Sequence, residues 1–234
     1  MRHGYQFVLL RHGQSEWNLQ NRFTGWTDVG LTDHGRREAR AAGLALRSAG
    51  LSLDIAFTSV LQRARESLHI VLEETRLSTI PVVFAWELNE RHYGALQGLN
   101  KEKTARELGE ALVMSWRRSY SARPPALDRD DPRHPRFDPL YAHLPEESLP
   151  ASESLKDTED RLVPFWQKTI VPAIQSGLRL LVVAHGNSLR ALVRYLDRIP
   201  PDKVPDLNIP TGIPLIYETD LALTPLSRQY LAIH

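Results

Sequence analysis

Two His-Gly pairs lie far apart in the sequence, each directly behind an apolar run. Arg11-His12-Gly13 follows Phe7-Val8-Leu9-Leu10, and His185-Gly186-Asn187 follows Leu178-Arg179-Leu180-Leu181-Val182-Val183-Ala184. A short continuous apolar run reads as a strand buried on both faces. In open parallel sheets, ligands bind beyond the carboxyl ends of such strands. A His placed there faces the crevice, and the Gly behind it admits backbone to close approach. The first N–H groups of the next helix then attract anions. One such His is ordinarily structural, but two on neighbouring strands point to a reacting pair. A third junction, Thr58-Ser59-Val60-Leu61-Gln62-Arg63, puts Arg63 in the first turn of a helix. Two imidazoles with Glu90 could imitate a metal triad. Arg11 and Arg63 argue for an anion instead, because fixed cations repel a metal.

The chemistry these residue types suit is phosphoryl transfer, which needs positioning and charge stabilisation above all. A neutral imidazole can attack phosphorus and divide one hard transfer into two. The other His and the planar forks of two Arg can hold the equatorial oxygens. A separate group must handle the proton on the substrate oxygen. Glu90, within Glu87-Leu88-Asn89-Glu90-Arg91-His92-Tyr93-Gly94, is the candidate acid and base. By residue type alone, an exposed loop carboxylate paired with Arg91 fits equally well.

Elements must position these groups. Thr32 can cap a helix whose Ala39, Ala42, Gly43 and Leu46 share one face, with Gly50 as its stop. Asp54 to Thr58 reads as a strand, followed by a helix from about Val60 to Arg76 and a strand at Pro81 to Phe84. The strand ending at Ala184 sits between a long helix and a short one that Asn187 or Ser188 can cap. Ile213 to Glu218 and Gln229 to Ile233 read as closing strands. This alternation predicts a three-layer α/β fold, a mostly parallel sheet with helices on both faces. Seven of the 16 prolines fall between Pro124 and Pro150. They suggest a proline-rich surface insertion at about 120–150 in a single domain over 1–234. It packs over the site or is a solvated loop, and composition does not choose.

Composition sets outer limits. The 234 residues carry 29 Lys and Arg against 28 Asp and Glu, net +1, which argues against a general nucleic-acid binder. With no Cys there is no disulfide, Cys-ligated zinc or thiol nucleophile. No stretch approaches the ~20 apolar residues of a membrane span. No signal-like apolar segment follows Met1 either, so a cytoplasmic protein with no membrane partner is expected.

Longer motifs add a resemblance. Leu10-Arg11-His12-Gly13-Gln14-Ser15-Glu16-Trp17-Asn18 resembles the Arg-His-Gly signature of the histidine phosphatase superfamily. Asn21-Arg22-Phe23-Thr24-Gly25-Trp26, the run from Leu88 to Lys101, Ala184 to Arg190, Trp116-Arg117-Arg118 and Asn208-Ile209-Pro210-Thr211-Gly212 resemble its 2,3-bisphosphoglycerate-dependent phosphoglycerate mutases. The resemblance implies a phosphoglycerate mutase-like fold and interconversion of 3- and 2-phosphoglycerate in glycolysis and gluconeogenesis. It implies His12 as phosphorylated nucleophile, Glu90 as proton donor and acceptor, and His185 with Arg11 and Arg63 stabilising the transferring group. Asn18, Thr24, Gly25, Gly186 and Asn187 would contact phosphate or substrate near His12. Arg91, Tyr93, Lys101, Arg117 and Arg118 would hold the carboxylate and second phosphate. His92 falls in the same substrate-binding run, without a proton-transfer role. The cofactor implied is 2,3-bisphosphoglycerate, with no metal, and a homodimer is expected, with a tetramer as the alternative.

Six cations (Arg11, Arg63, Arg91, Lys101, Arg117, Arg118) are thus expected to converge on one pocket. Trp86, Trp116 and Trp166 are expected in the core or an interface, His69 packed in its helix, and His34, His134 and His143 in solvent. The sequence stops at Ala232-Ile233-His234, without the small-residue and Lys-rich tail of many relatives. Such tails exclude water, so their absence leaves the ratio of mutase to phosphatase activity open. The resemblance implies a minor bisphosphoglycerate mutase and phosphatase side activity. The rival readings are a broad phosphomonoester phosphatase on the same fold and a non-catalytic phosphate-binding module.

Overall fold

The computed structural model describes residues 4–233. Six strands form one sheet in the order β3-β2-β4-β1-β5-β6. These are β1 (Tyr5–Arg11), β2 (Ile55–Thr58), β3 (Val82–Phe84), β4 (Leu180–Ala184), β5 (Leu215–Thr219) and β6 (Pro225–Tyr230). The first four are mutually parallel, while β5 runs antiparallel to β1, and β6 to β5. The parallel strands read as unbroken apolar runs because both their faces are covered. Phe7, Leu9, Leu180, Val182 and Ala184 point to one side, where they pack with Leu162, Trp166, Ile170, Leu189 and Leu192. Val8, Leu10, Leu181 and Val183 point to the other, against Ala42, Leu46, Leu68 and Val71. The expected α/β layering is therefore present.

Helix α2 (Asp33–Ser48) starts where Thr32 Oγ1 accepts the Gly35 N–H, and Gly50 beyond its end has φ +67°. Gly43 lets α2 approach α3 (Gln62–Thr75), because a Cβ there would come 2.6 Å from that of Glu74. The long helix before β4 is interrupted. It runs as α6 (Leu155–Phe165), a π-helical turn at Trp166–Ile170 and α7 (Val171–Gln175), with Pro164 and Pro172 inside it. Helix α8 (Gly186–Leu196) follows β4 directly. No described helix is long and apolar enough to cross a membrane.

Several expectations need correction. The last strand is Pro225–Tyr230, earlier than Gln229 to Ile233. Its outer face is solvated, so it lacks the apolar run that marks β1 and β4. Helices α4 (Lys101–Leu108) and α5 (Glu110–Arg118) escaped the sequence reading, because each buries a single residue, Thr104 and Val113. His69 is exposed and pairs with Glu73 at 3.2 Å. His134 is buried, its Nδ1 accepting the Arg136 N–H. Trp166 lies in the core, with Trp86 and Trp116 half-buried. The 120–150 segment is not a detached loop: Tyr141 is buried, and its hydroxyl accepts a hydrogen bond from Asn89 Nδ2.

Leu181→Ala, in the fully buried β4, should lower stability by ~2–5 kcal/mol. Leu226→Ala, on the outer strand and 68% exposed, should stay within ~0.5 kcal/mol. Urea unfolding midpoints check both, and equal effects would contradict this layering.

Candidate active site

Strands β1 and β4 are neighbours in register, with Arg11 opposite Ala184, so the residues after them emerge side by side. The His12 N–H donates to Ala184 O at 3.0 Å, extending the ladder by one bond. The His12 and His185 rings sit 4.9 Å apart, inclined by 63°. His12 Nδ1 lies 2.6 Å from Gly13 O. A carbonyl only accepts, so Nδ1 carries the proton and Nε2 keeps its lone pair. His185 Nε2 lies 2.7 Å from Ser59 Oγ, which itself accepts the Leu61 N–H. With the Ser59 hydroxyl donating to Nε2, the His185 proton sits on Nδ1, a buried atom with no protein partner. Arg11 Nε is buried and unpartnered as well. Two orphaned donors beside a free imidazole nitrogen describe a place for an anion.

Burial sets the electrostatics. Desolvation, then the charges of Arg63 and Arg11, hold the His12 imidazole well below its usual value, and the Gly13 bond offsets them only in part. Desolvation and Arg63 do the same to His185, with His12 itself contributing. Both rings are neutral at pH 7, which a nucleophile requires.

Beside this pair, behind Arg11 and Gly186, opens a cavity of about 130 Å³. Arg11, Asn18, Thr24, Glu90, Tyr93, Lys101, Arg117, Arg118, Gly186 and Asn187 line it, ten of the expected residues. Glu90 is buried, and its Oε1 accepts the N–H groups of Arg91 at 2.8 Å and Asn187 at 3.0 Å. It is no exposed partner of the Arg91 side chain. The α8 start is fixed from one side, the His185 N–H donating to Ser188 Oγ at 3.1 Å. Burial alone would raise the Tyr93 hydroxyl, but Arg91 and Lys101 bring it below its ordinary value. Burial, with Arg117 and Arg11 nearby, lowers the Lys101 ammonium.

Four of the six expected cations meet at the cavity, and two do not. Arg63 is wholly buried and donates to Thr27 O and Gly25 O, so it braces that loop and acts on the two imidazoles through its charge. Arg91 lies over the Tyr93 ring at 4.6 Å and donates to Tyr93 Oη and Arg117 O. His92 is also away from the cavity: its Nδ1 accepts the Gly94 N–H, and burial pushes it down to about 3. Gly25, at φ +58°, gives way to Gln97 Oε1, which a Cβ would meet at 2.0 Å. Arg190, Asn208 and Ile209 also line the cavity, although the sequence motifs that contain them gave them no site role. Arg190 Nη1 donates to Asn187 Oδ1, and Nη2 to Arg118 O and Val204 O, tying α8 to the end of α5. The i, i+3 spacing of Asn187 and Arg190 was the signal available.

A sheet of this order, with paired imidazoles at adjoining strand ends, defines the phosphoglycerate mutase-like class of α/β fold. The chain belongs to the histidine phosphatase superfamily (branch 1), which it matches over residues 7–220, and membership makes it an enzyme of the phosphatase and mutase kind. Its fold is similar to that of a mycobacterial glucosyl-3-phosphoglycerate phosphatase solved with VO3, at 24% identity over 91% of this chain and 92% of that one, TM-score 0.69. It is also similar to a putative α-ribazole-5′-P phosphatase from Escherichia coli, at 20% identity, 97% and 96% coverage, and TM-score 0.71. A Bacillus stearothermophilus protein, YhfR, matches at 24% identity, 92% and 91% coverage, and TM-score 0.68.

The three fully buried imidazoles His12, His185 and His92 make stability depend on pH, because their folded values are depressed. The unfolded chain takes up these protons near pH ~6.5 and the folded chain does not. Stability is therefore full above that value and falls as pH drops toward about 3, where folded His92 titrates. His134 adds in the same direction. Denaturant unfolding followed from about pH 7.5 down to about 5 should show stability falling with pH, and His92→Gln should make that fall shallower. A pH-independent stability, or an unchanged slope in His92→Gln, would contradict the assignment.

Proposed function

We propose that this enzyme interconverts 3-phosphoglycerate and 2-phosphoglycerate through a phosphohistidine at His12. The observation that carries the reading is the charge pattern of the cavity. Arg11, Lys101, Arg117, Arg118 and Arg190 surround a space of about 130 Å³ in which Glu90 is the one carboxylate. That is more positive charge than a single phosphoryl group needs, and it suits an acid with a second anionic group. The volume lies well under the ~300–1,000 Å³ of pockets for drug-sized ligands, which favours a three-carbon acid over a sugar conjugate.

In this mechanism the His12 Nε2 lone pair forms an N–P bond as the ester P–O bond breaks. His185 Nδ1–H and the Arg11 fork hold the equatorial oxygens, and the fixed charge of Arg63 adds to the field. The departing alkoxide takes a proton from the Glu90 carboxylic acid. In the second half, the Glu90 carboxylate takes a proton from the attacking hydroxyl of the glycerate, and the phosphoryl group leaves His12. Lys101, Arg117, Arg118 and Tyr93 orient the carboxylate and remaining phosphate, with Asn18, Thr24, Gly186 and Asn187 lining the reacting end. When bound, 2,3-bisphosphoglycerate supplies the first phosphoryl group; the unpartnered Arg11 Nε and His185 Nδ1 fit such a group.

Incubation with 3-phosphoglycerate and a trace of 2,3-bisphosphoglycerate should give 2-phosphoglycerate in excess of inorganic phosphate. Dominant phosphate release, with or without the bisphosphate, would favour the phosphatase reading instead. His12→Ala should abolish acid-labile phosphate on the enzyme, since the chain has no Cys and no other His among the described residues lines the cavity. Retention of that label would overturn the nucleophile assignment.

A further inference from the structure

Outside the cavity, one buried ion pair has no part in the mechanism so far. Arg161 on α6 and Glu153 are almost fully buried, with side chains 9% and 4% exposed. Arg161 Nε donates to Glu153 Oε1 at 2.6 Å, and Nη2 to Oε2 at 3.0 Å. The remaining donors all turn to one segment: Nη1 to Glu87 O at 2.6 Å, and Nη2 to Asn89 O and Glu90 O at 3.0 Å each. Glu153 reaches the same segment from the other side. Its Oε2 accepts the His92 N–H at 2.8 Å, and its own N–H donates to His92 O at 2.8 Å. The guanidinium lies beside two adjacent indoles, 5.6 Å from the Trp26 ring and 6.0 Å from Trp86. Trp26 Nε1–H adds a second donor to Glu90 O, at 2.7 Å. The insertion closes the assembly, because Tyr141 packs on Trp26 at 4.7 Å and binds Asn89.

A buried ion pair is poor evidence for stability, since desolvating both charges offsets most of their attraction. What this pair supplies is geometry. It engages the carbonyls of residues 87, 89 and 90 and both backbone polar groups of residue 92, the flanks of the proton-transfer carboxylate. The segment, a single 3₁₀ turn at Trp86–Leu88 and irregular from 89 to 93, is thereby held by side chains rather than by a ladder. Small misplacements of an acid or base are costly in rate.

We propose that Arg161, locked by Glu153, is a positioning residue for proton transfer, setting where the Glu90 carboxyl stands relative to the departing oxygen. This rests on the reading of Glu90 as acid and base given above. The Trp26 indole N–H shares the role through the same carbonyl.

Leaving-group dependence tests it. Phosphorylation of His12 by 2,3-bisphosphoglycerate expels an alkoxide that needs a proton, whereas 4-nitrophenyl phosphate expels a phenolate that leaves without one. Acid-labile phosphate on the enzyme is followed in single turnovers with each donor, for wild type, Arg161→Met, Arg161→Lys, Trp26→Phe and, as benchmark, Glu90→Gln. Arg161→Met should slow labelling by the bisphosphate by about tenfold or more, within the ~10²–10⁴ available to general acid catalysis. Labelling by the aryl ester should stay near the wild-type rate. Arg161→Lys should not rescue it, because an ammonium cannot span Glu153 and three carbonyls. Trp26→Phe should show a smaller loss with the same selectivity, and it keeps the test open if the Arg161 variants fail to fold. Equal slowing with both donors in folded variants would overturn the proposal and make the pair merely structural. Failure of the wild type itself to label from either donor would instead defeat the proposed function.

Discussion

Burying two imidazoles without charge, between guanidinium groups that keep theirs, is the constraint from which the rest of this site follows. An imidazolium beside Arg11 and Arg63 in a desolvated pocket would be repelled, so His12 and His185 stay neutral. Neutrality requires that each ring place its single proton. Gly13 O draws that of His12 to Nδ1, and with the Ser59 hydroxyl donating to Nε2 that of His185 lies on Nδ1. The first choice leaves a lone pair for attack, and the second leaves a donor for an oxygen. Neither works unless the rings are adjacent, which the β1–β4 register guarantees. The central strands carry their apolar residues on both faces because the sheet has to hold these two chain positions still.

The cations divide by what their N–H groups are bound to. Arg63 donates to two main-chain carbonyls, and Arg190 is saturated by carbonyls of Leu207, Arg117, Arg118 and Val204 and by Asn187 Oδ1. Burial lowers both to about 10, so they remain charged and serve as fixed parts of the frame. Arg11, Lys101, Arg117 and Arg118 present charge to the cavity itself. A net charge of +1 conceals this local excess completely. Binding an anion relieves repulsion among these groups, so the frame that holds them has to be rigid beforehand. The cap of α8, the Arg161–Glu153 pair and the proline-rich segment supply that rigidity from three directions.

Much of the frame was legible before any coordinates. Continuous apolar runs ending in His-Gly specify a two-sided strand and its active end with few alternatives, and Thr32 and Gly50 mark helix limits through local chemistry. The harder parts depend on tertiary partners. Arg63 looks like a cavity cation in sequence, because an Arg in a phosphate motif reads the same whether it meets ligand or carbonyl oxygen. His134 in a polar stretch reads as solvated until the turn it caps is seen, and His69 reads as packed until Glu73 appears beside it on the surface. Helices α4 and α5 bury too little for periodicity to reveal them. Arg161 gave no signal, because apart from Glu153 its partners are backbone carbonyls some 70 residues earlier.

The protonation of His12 tests the account most directly. Histidine ¹⁵N NMR on the free protein, titrated from about pH 8 to about pH 5.5, brackets the ordinary imidazole value near 6.5. The account predicts a His12 ring that stays neutral across that range, with its proton on Nδ1 and an unprotonated Nε2. A His12 that takes up a second proton near pH ~6.5, or one that carries its proton on Nε2, would contradict it.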